Sequence, residues 1–227
     1  TIQEPHRNLE VTAFNLVELT PRPLPDPALT PPWEQVRDLL PMATEPDLLD
    51  TCAYLFDSPY IALSDDLATY AAPSFPPGRP ILEGLLDLTA RIHAGFRYDP
   101  DATSLATPLR EVLSERRGVC QDFAHLEIGC LRTLGLPARY VSGYLMTTPP
   151  PGRPRLLGAD ASHAWVSLYI PGAGWIDADP TNNLCPCDKH VTLAWGRDYD
   201  DVSPIKGVIL GGGDHTVRVA VDLVPAE

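Results

Sequence analysis

Residues 116–137, RRGVCQDFAHLEIGCLRTLGLP, decide the fold because they place a cysteine at the first turn of a long apolar helix. The apolar side chains of this stretch recur at helical spacing: Phe123, Leu126, Cys130, Leu131 and Leu134. At a helix N-terminus the dipole and the free backbone N–H groups favour a thiolate and can hold an oxyanion, so Cys120 is a candidate nucleophile. Such a cysteine is also compatible with an inert core residue, and this stretch alone leaves both interpretations open.

After Gly135-Leu136-Pro137, which ends the helix, the hydrophobic pattern changes from a helical period to alternation. This alternation predicts strands over residues 138–146, 162–170, 174–179, 190–195, 205–210 and 216–223, with a proline-rich loop at 147–155. Upstream, helices are predicted over residues 39–56, 65–71, 81–92 and 108–116. Helices followed by strands indicate an α+β fold in which the nucleophile helix packs on an antiparallel sheet.

The predicted strand 162–170 supplies the imidazole that a thiolate nucleophile needs. Its even-numbered residues form an apolar face, and His163 lies on the other face. In a hairpin centred on Pro171, His163 and Asp179 are direct cross-strand neighbours, close enough for the carboxylate to orient the imidazole. A four-residue loop over 171–174 would instead shift the register by three, and a bulge would have to restore the pair. Asp177 shares the face of Asp179 and is its rival for the orienting role.

Composition argues against several classes of partner. The chain has 227 residues with 17 basic and 30 acidic side chains, a net charge of −13, and 44% hydrophobic residues. Nucleic acid and anionic membrane surfaces would on average be repelled. No apolar run reaches the roughly 20 residues that span a bilayer, and the first residues lack signal-peptide features, so we expect a cytoplasmic protein. Five scattered cysteines, an odd number, predict reduced thiols.

Three motifs taken together resemble the transglutaminase-like superfamily, in its bacterial cysteine-protease-like branch. They are Gly118-Val119-Cys120-Gln121-Asp122, Ser162-His163-Ala164-Trp165-Val166 and the stretch from Trp175 to Asp179-Pro180-Thr181, and the similarity covers about residues 80–225. The resemblance implies a papain-like α+β fold with Cys120 as nucleophile, His163 as general base and acid, and Asp179 as the orienting carboxylate.

The chain departs from the pattern of eukaryotic transglutaminases at one position. Those enzymes carry a tryptophan upstream of the cysteine that helps to hold the oxyanion, whereas no tryptophan lies between Trp33 and Trp165. This absence argues against crosslinking activity. The second oxyanion donor must then come from another residue, with Tyr98 and Gln121 as candidates.

Proline clusters and the same resemblance divide the chain into three parts. Residues 1–20 resemble the last strand of an N-terminal β-rich region that members of this branch usually carry. Residues 21–80 form a proline-rich connector with short helices, because the six prolines between Pro21 and Pro32 exclude a helix or a central strand. Residues 81–227 form the transglutaminase-like catalytic domain.

These residues predict a cysteine-nucleophile acyl-transfer enzyme that hydrolyses a peptide or amide bond in a peptide or protein substrate through a thioester acyl-enzyme. No cofactor is expected. A transglutaminase or an amide-forming acyltransferase is the second enzymatic interpretation. A non-catalytic, papain-like binding module is the third, although such a module has no physical need to keep all three of Cys120, His163 and Asp179.

For the remaining candidates the structural interpretation is favoured. Cys185-Pro186-Cys187 with His190 could offer three ligands to zinc, but the spacing lacks a second pair, and no metal site is predicted. Asp122 in the first helical turn and His125 within the helix are expected to be structural. The acidic run 198–201 is expected to be a solvated loop, and the glycines at 211–213 a hairpin turn.

Overall fold

The computed structural model describes residues 6–103, 107–146, 162–204, 207–208, 210–211, 216 and 218–225. The α-helices of this part are α1 Trp33–Leu39, α2 Pro46–Cys52, α3 Asp65–Ala71, α4 Ile81–Gly95, α5 Leu109–Glu115, α6 Cys120–Thr133 and α7 Tyr199–Val202. Short 3-10 turns lie at Pro27–Leu29, Leu40–Met42 and Ala72–Ser74. Within the described residues, no helix combines the length and apolar character needed to cross a membrane.

The strands form one main sheet and one short pair. The strands are β1 Arg97–Tyr98, β2 Arg117–Gly118, β3 Ala138–Leu145, β4 Ser162–Ile170, β5 Gly174–Ala178 and β6 His190–Gly196. β5, β4, β3 and β6 follow one another in a four-stranded antiparallel sheet. β1 and β2 pair in parallel immediately before the start of α6.

Helix α6 is the centre of the molecule, because it packs on β3 and β4 on one side and on α3, α4 and α5 on the other. Every residue from 122 to 132 is buried. The even-numbered face of β4, from Ala164 to Ile170, belongs to the same core cluster. The predicted arrangement of a nucleophile helix on an antiparallel sheet is therefore confirmed.

Burial on all sides obliges the polar residues of α6 to find partners within the protein. Arg132 donates to the carbonyl oxygens of Phe56, Ala138 and Arg197 at 2.6–3.1 Å, and so ties the end of α6 to three separate segments. His125 accepts the backbone N–H of Tyr199 at 3.2 Å. Burial lowers the pKa of His125 to about 4, so this imidazole is neutral and structural, as predicted.

The predicted helices and strands between residues 65 and 196 lie close to the observed ones, whereas the predicted helix 39–56 is wrong. Pro41 and Pro46 divide that segment into the 3-10 turn Leu40–Met42 and the short helix α2. A proline lacks the N–H that a helix interior needs and clashes with the preceding turn, so a single helix cannot run through both positions.

The strands predicted at the two ends of the chain have no counterpart among the described residues. Residues 6–20 carry neither helix nor strand, and Phe14 and Leu16 are almost fully exposed. For 205–210 and 216–223, positions 205, 206, 209 and 217 lie outside the described residues, and the others carry only an isolated bridge at Val221. The predicted loop 147–155 and the glycines at 212–213 also lie outside them. The division into three parts stays a prediction.

Candidate active site

A short parallel pair of strands sets the position of Cys120 at the start of α6. In this pair Tyr98 lies opposite Gly118, and the Asp99 N–H donates to the Gly118 carbonyl at 2.9 Å. A Cβ at Gly118 would lie 2.7 Å from the Asp122 carboxylate, so only glycine fits at this entry to the helix. Cys120 is partly buried and packs against the main core.

Asp122 serves as a helix cap, in agreement with the structural role predicted for it. Its Oδ2 accepts the Val119 N–H at 2.8 Å and the Thr103 hydroxyl at 2.6 Å. Burial raises the pKa of Asp122, and these two hydrogen bonds oppose that rise. The Asp122 carboxyl group is thus engaged by the N-terminal end of its own helix and by Thr103.

The structure brings together His163, near the start of β4, and Asp179, which directly follows β5. His163 Nε2 lies 2.7 Å from Asp179 Oδ2, within hydrogen-bond reach. The Cys120 thiol lies close enough to the imidazole to contribute to a raised pKa of His163. Because Nε2 faces Asp179, we infer that Nδ1 is the nitrogen that faces the sulfur. The imidazole of His163 therefore neighbours both the Asp179 carboxylate and the Cys120 thiol.

The hairpin reaches this arrangement by a register that differs from both predicted ones. Ile170 pairs with Gly174 and Val166 with Ala178, so the turn has three residues and His163 is diagonal to Asp179. The observed register differs by two residues from that of the predicted hairpin centred on Pro171. Because side chains alternate with a period of two, His163 and Asp179 still lie on one face of the sheet without a bulge. A diagonal neighbour is still within reach of long side chains, and this explains the close contact.

Asp177, the rival of Asp179, has a different partner. The indole Nε1 of Trp165 donates to Asp177 Oδ2 at 3.0 Å. Trp165 and Asp177 are related by the same diagonal offset as His163 and Asp179, and each lies two residues along its strand from the corresponding member of that pair. The structure thus places Asp179, and not Asp177, against the imidazole.

The His163–Asp179 contact changes the protonation of both groups. Burial disfavours the charged imidazole, but the hydrogen bond to Asp179 and the nearby Cys120 thiol outweigh it and raise the pKa of His163 to about 9. Burial would also raise the pKa of Asp179, but hydrogen bonds from His163, His190 and Asn182 outweigh it and hold that pKa well below its usual range. At neutral pH the pair therefore consists of an imidazolium and a carboxylate.

Asn182 and His190 join the site although neither was singled out for it from the sequence. Asn182 Nδ2 donates to Asp179 Oδ2 at 2.7 Å, and His190 Nε2 lies 3.1 Å from the same oxygen. Asn182 follows Asp179 by three residues, and an amide in such a turn after a carboxylate was an available signal. His190 comes from β6, and no local pattern connects it with Asp179.

The two candidates for a second oxyanion donor differ in their surroundings. Tyr98 lies beside the start of α6, where burial and then the charge of Cys120 raise the pKa of its phenol. The phenol is half exposed and therefore reachable by a substrate. No comparable contact places Gln121 toward the thiol among the described residues.

The remaining sequence candidates are structural in this fold, with one correction. Asp198 is completely buried, accepts the N–H groups of Tyr60 and Asp200 at 2.8 Å each, and caps α7, so the acidic run is not simply a solvated loop. Cys185 and Cys187 are free thiols and do not cluster with His190. The one cluster with metal-ligand geometry among the described residues is His163, Asp179 and His190.

An α+β fold that brings a cysteine at a buried helix start to a histidine and an aspartate on an antiparallel sheet defines the papain-like class. The family profile of the transglutaminase-like superfamily matches residues 70–180. Over these residues the chain contains a domain of the transglutaminase-like superfamily.

Several individual proteins are similar to this chain. An uncharacterized protein of Mycobacterium tuberculosis H37Rv is 43% identical over 238 residues, which cover 100% of this chain and 73% of that one. The crystal structure of a proposed cysteine protease from Cytophaga hutchinsonii has 33% identity and a TM-score of 0.58, and covers 71% of this chain. This chain spans about half of that structure, 51% of its length. A protein-glutamine gamma-glutamyltransferase of Pseudomonas aeruginosa is 32% identical over 107 residues, 44% of this chain and 16% of that one.

Proposed function

We propose that the protein is an acyl-transfer enzyme with Cys120 as nucleophile, His163 as general base and acid, and Asp179 as the orienting carboxylate. The observation that carries the proposal is the 2.7 Å contact between His163 Nε2 and Asp179 Oδ2, next to Cys120 at the start of α6. A helix N-terminus under the sulfur and an imidazolium beside it are the two conditions that favour a nucleophilic thiolate.

The proposed reaction begins with attack of the Cys120 sulfur on the carbonyl carbon of an amide. The tetrahedral oxyanion is held by the free N–H groups of the first turn of α6 and by the hydroxyl group of Tyr98. His163 gives its proton to the leaving nitrogen, the C–N bond breaks, and a thioester to Cys120 remains. His163 then removes a proton from the acceptor that attacks the thioester, and the acyl group leaves.

Water is the acceptor that we favour, which makes the enzyme a hydrolase of peptide or protein amides. The fold neighbour from Cytophaga hutchinsonii, a proposed cysteine protease, supports this choice. Transfer to an amine is the second candidate, because the Pseudomonas aeruginosa relative over 107 residues is a protein-glutamine gamma-glutamyltransferase. An amine-accepting enzyme must also limit the access of water to the thioester.

Mass spectrometry of the protein incubated with a peptide library distinguishes these reactions. The library is incubated in water enriched in oxygen-18, with and without a primary amine. Shorter fragments with oxygen-18 in the new carboxyl group indicate a peptidase. Incorporation of the amine with loss of ammonia indicates a transglutaminase.

Two cysteine variants control this experiment. Cys120→Ser should abolish either product, whereas Cys187→Ser, which alters an exposed thiol, should leave both unchanged. Products that persist in Cys120→Ser would contradict the proposal. If neither the wild type nor Cys187→Ser changes any peptide of the library, the result would favour the interpretation of the protein as a non-catalytic, papain-like binding module.

A further inference from the structure

Three potential metal ligands converge below the candidate active site. Asp179 Oδ2 lies 2.7 Å from His163 Nε2 and 3.1 Å from His190 Nε2, and all three ligand atoms lie within 4.8 Å of one another. All three residues are buried. The acyl-transfer chemistry proposed above requires one imidazole on this carboxylate, and the second one, from His190, adds only a further hydrogen bond to it.

The main sheet holds these ligands rigidly. His163 comes from β4 and His190 from β6, and both strands pair with β3, so one strand separates the two histidines. Trp165 packs edge-on against the His190 ring, with 5.2 Å between the ring centroids. A Cβ at Gly143 on β3 would lie 2.5 Å from the Trp165 indole, so glycine is needed for this packing.

The second carboxylate oxygen of Asp179 has partners that fix its orientation. Asp179 Oδ1 accepts the N–H groups of Thr181 at 2.9 Å and Asn182 at 3.1 Å. Oδ2 is directed at the two imidazoles and also accepts the Asn182 side-chain amide at 2.7 Å, a hydrogen bond that a metal ion at this position would replace. Metal sites in proteins use such outer hydrogen bonds to orient their ligands.

We propose that His163, Asp179 and His190 form a binding site for a divalent transition-metal ion, with Zn²⁺ as the best match. Two imidazoles and one carboxylate are ligands that Zn²⁺ accepts, with a fourth position left for water. Each Nε2 would bind the metal in place of its hydrogen, which moves to Nδ1 or to solvent. One of the three ligands, His190, lines a cavity of about 990 Å³, whereas His163 and Asp179 do not.

Metal binding at this position would switch off the candidate active site. The ion would hold His163 by the nitrogen that otherwise faces Asp179, and the imidazole could then no longer carry a proton between thiol and substrate. This consequence rests on the proposed function, whereas the existence of the site does not. Reversible inhibition by Zn²⁺ follows if both are correct.

Metal binding is tested on the full chain with Cys120→Ser, which removes the nucleophile as a competing ligand. Calorimetric titration with Zn²⁺ should give one ion per chain, and titration with Co²⁺ should give the visible absorption of a tetrahedral ion. X-ray absorption of the zinc-loaded variant should show imidazole nitrogen and oxygen without sulfur. If Cys120→Ser does not bind Zn²⁺ saturably, or if X-ray absorption shows sulfur among the zinc ligands, the proposed site is overturned.

Adding His190→Gln to Cys120→Ser should weaken Zn²⁺ binding about 100-fold or more, because a direct ligand is lost and the loss of an outer-shell partner alone already costs about 10- to 100-fold. The matched control adds Cys185→Ser and Cys187→Ser instead, which removes the other potential zinc ligands of this region and should leave the affinity unchanged. The reverse pattern would overturn the proposal. An inactive wild type together with a Cys120→Ser variant that binds Zn²⁺ would contradict the proposed function and leave the metal site standing. An active wild type together with a Cys120→Ser variant that does not bind Zn²⁺ would contradict only the metal site.

Discussion

At the scale of single residues, the charge on Asp179 decides the state of His163. The pKa of His163 is raised above its ordinary value of 6.5, to about 9, so the imidazolium is present at neutral pH and is lost as the pH rises through about 9. Turnover should therefore fall on the alkaline side near pH 9. The stability that the His163–Asp179 contact contributes should likewise be complete below pH 6.5 and decline up to about 9.

Replacing Asp179 with Asn should lower turnover about 100-fold or more and move the alkaline limb to lower pH. The uncharged amide no longer holds the imidazolium, and burial of His163 then favours the neutral ring. The measurement is the pH profile of kcat/KM on any substrate found by mass spectrometry. Asp177→Asn, which affects the carboxylate bonded to Trp165, is the matched control and should change the profile little. The opposite ranking of the two variants would assign the orienting role to Asp177.

Removal of the Tyr98 hydroxyl tests the second oxyanion donor. Tyr98→Phe should lower kcat about 100-fold with a small change in KM, because an oxyanion donor acts mainly in the transition state. Tyr169→Phe removes a hydroxyl from a ring that packs on Trp175 and serves as control. A loss of kcat in Gln121→Ala, with none in Tyr98→Phe, would instead identify Gln121 as the donor.

The juxtaposition of His163 and Asp179 could be predicted from the sequence, because each residue lies in a local motif whose spacing reflects its element. The sequence does not reveal that Asp179 accepts hydrogen bonds from two imidazoles. His190 lies eleven residues beyond Asp179 and reaches it through the pairing of β6 with β3, which no local period encodes. Contacts of this kind depend on tertiary structure.

At the scale of elements, helix α6 carries a buried acid that neither the sequence patterns nor the proposed chemistry explains. Glu127 is completely buried, and its Oε1 lies 2.6 Å from the Thr89 hydroxyl. That hydroxyl also lies 2.9 Å from the Leu85 carbonyl. Thr89 has one proton for two acceptors, so a protonated Glu127 that donates to Thr89 satisfies both contacts. Burial, followed by the charge of Asp179, raises the pKa of Glu127 to about 8.

Replacing Glu127 with Gln should stabilise the protein above about pH 5. The folded chain holds a proton up to about pH 8, whereas the unfolded chain releases it near 4.5, so stability falls with pH across this window. Each pH unit corresponds to at most about 1.4 kcal/mol, and the variant should gain a few kcal/mol relative to the wild type between pH 5 and pH 8. Urea unfolding at these two pH values measures the difference. Equal pH slopes for variant and wild type would contradict a buried neutral acid.

Prediction of the elements succeeded where hydrophobic periodicity is strong and failed where several turns are possible. Helix α6 and strand β4 follow directly from their apolar patterns. The turn after β4 allowed more than one length, and the observed three-residue turn places His163 diagonal to Asp179. The alternation of side chains along each strand was sufficient to predict that His163 and Asp179 lie on the same face of the sheet.

At the scale of the whole molecule, the architecture concentrates the candidate chemistry where three elements meet. The start of α6, the start of β4 and the residues after β5 supply thiol, imidazole and carboxylate respectively. The other four cysteines lie elsewhere and provide internal controls. Burial raises the pKa of Cys130, and burial together with nearby acids raises that of Cys185. Cys187 is exposed and is the strongest competitor for a thiol reagent.

Selective alkylation tests the central claim, an activated Cys120 nucleophile, without knowledge of the substrate. The native protein is treated with limiting iodoacetamide at about pH 6, well below the roughly 8.5 at which a free cysteine ionises, and the labelled peptides are quantified by mass spectrometry. Cys120 should be labelled first, ahead of the exposed Cys187, and His163→Ala should remove this preference. Labelling of Cys187 before Cys120, or an unchanged preference in His163→Ala, would contradict the account.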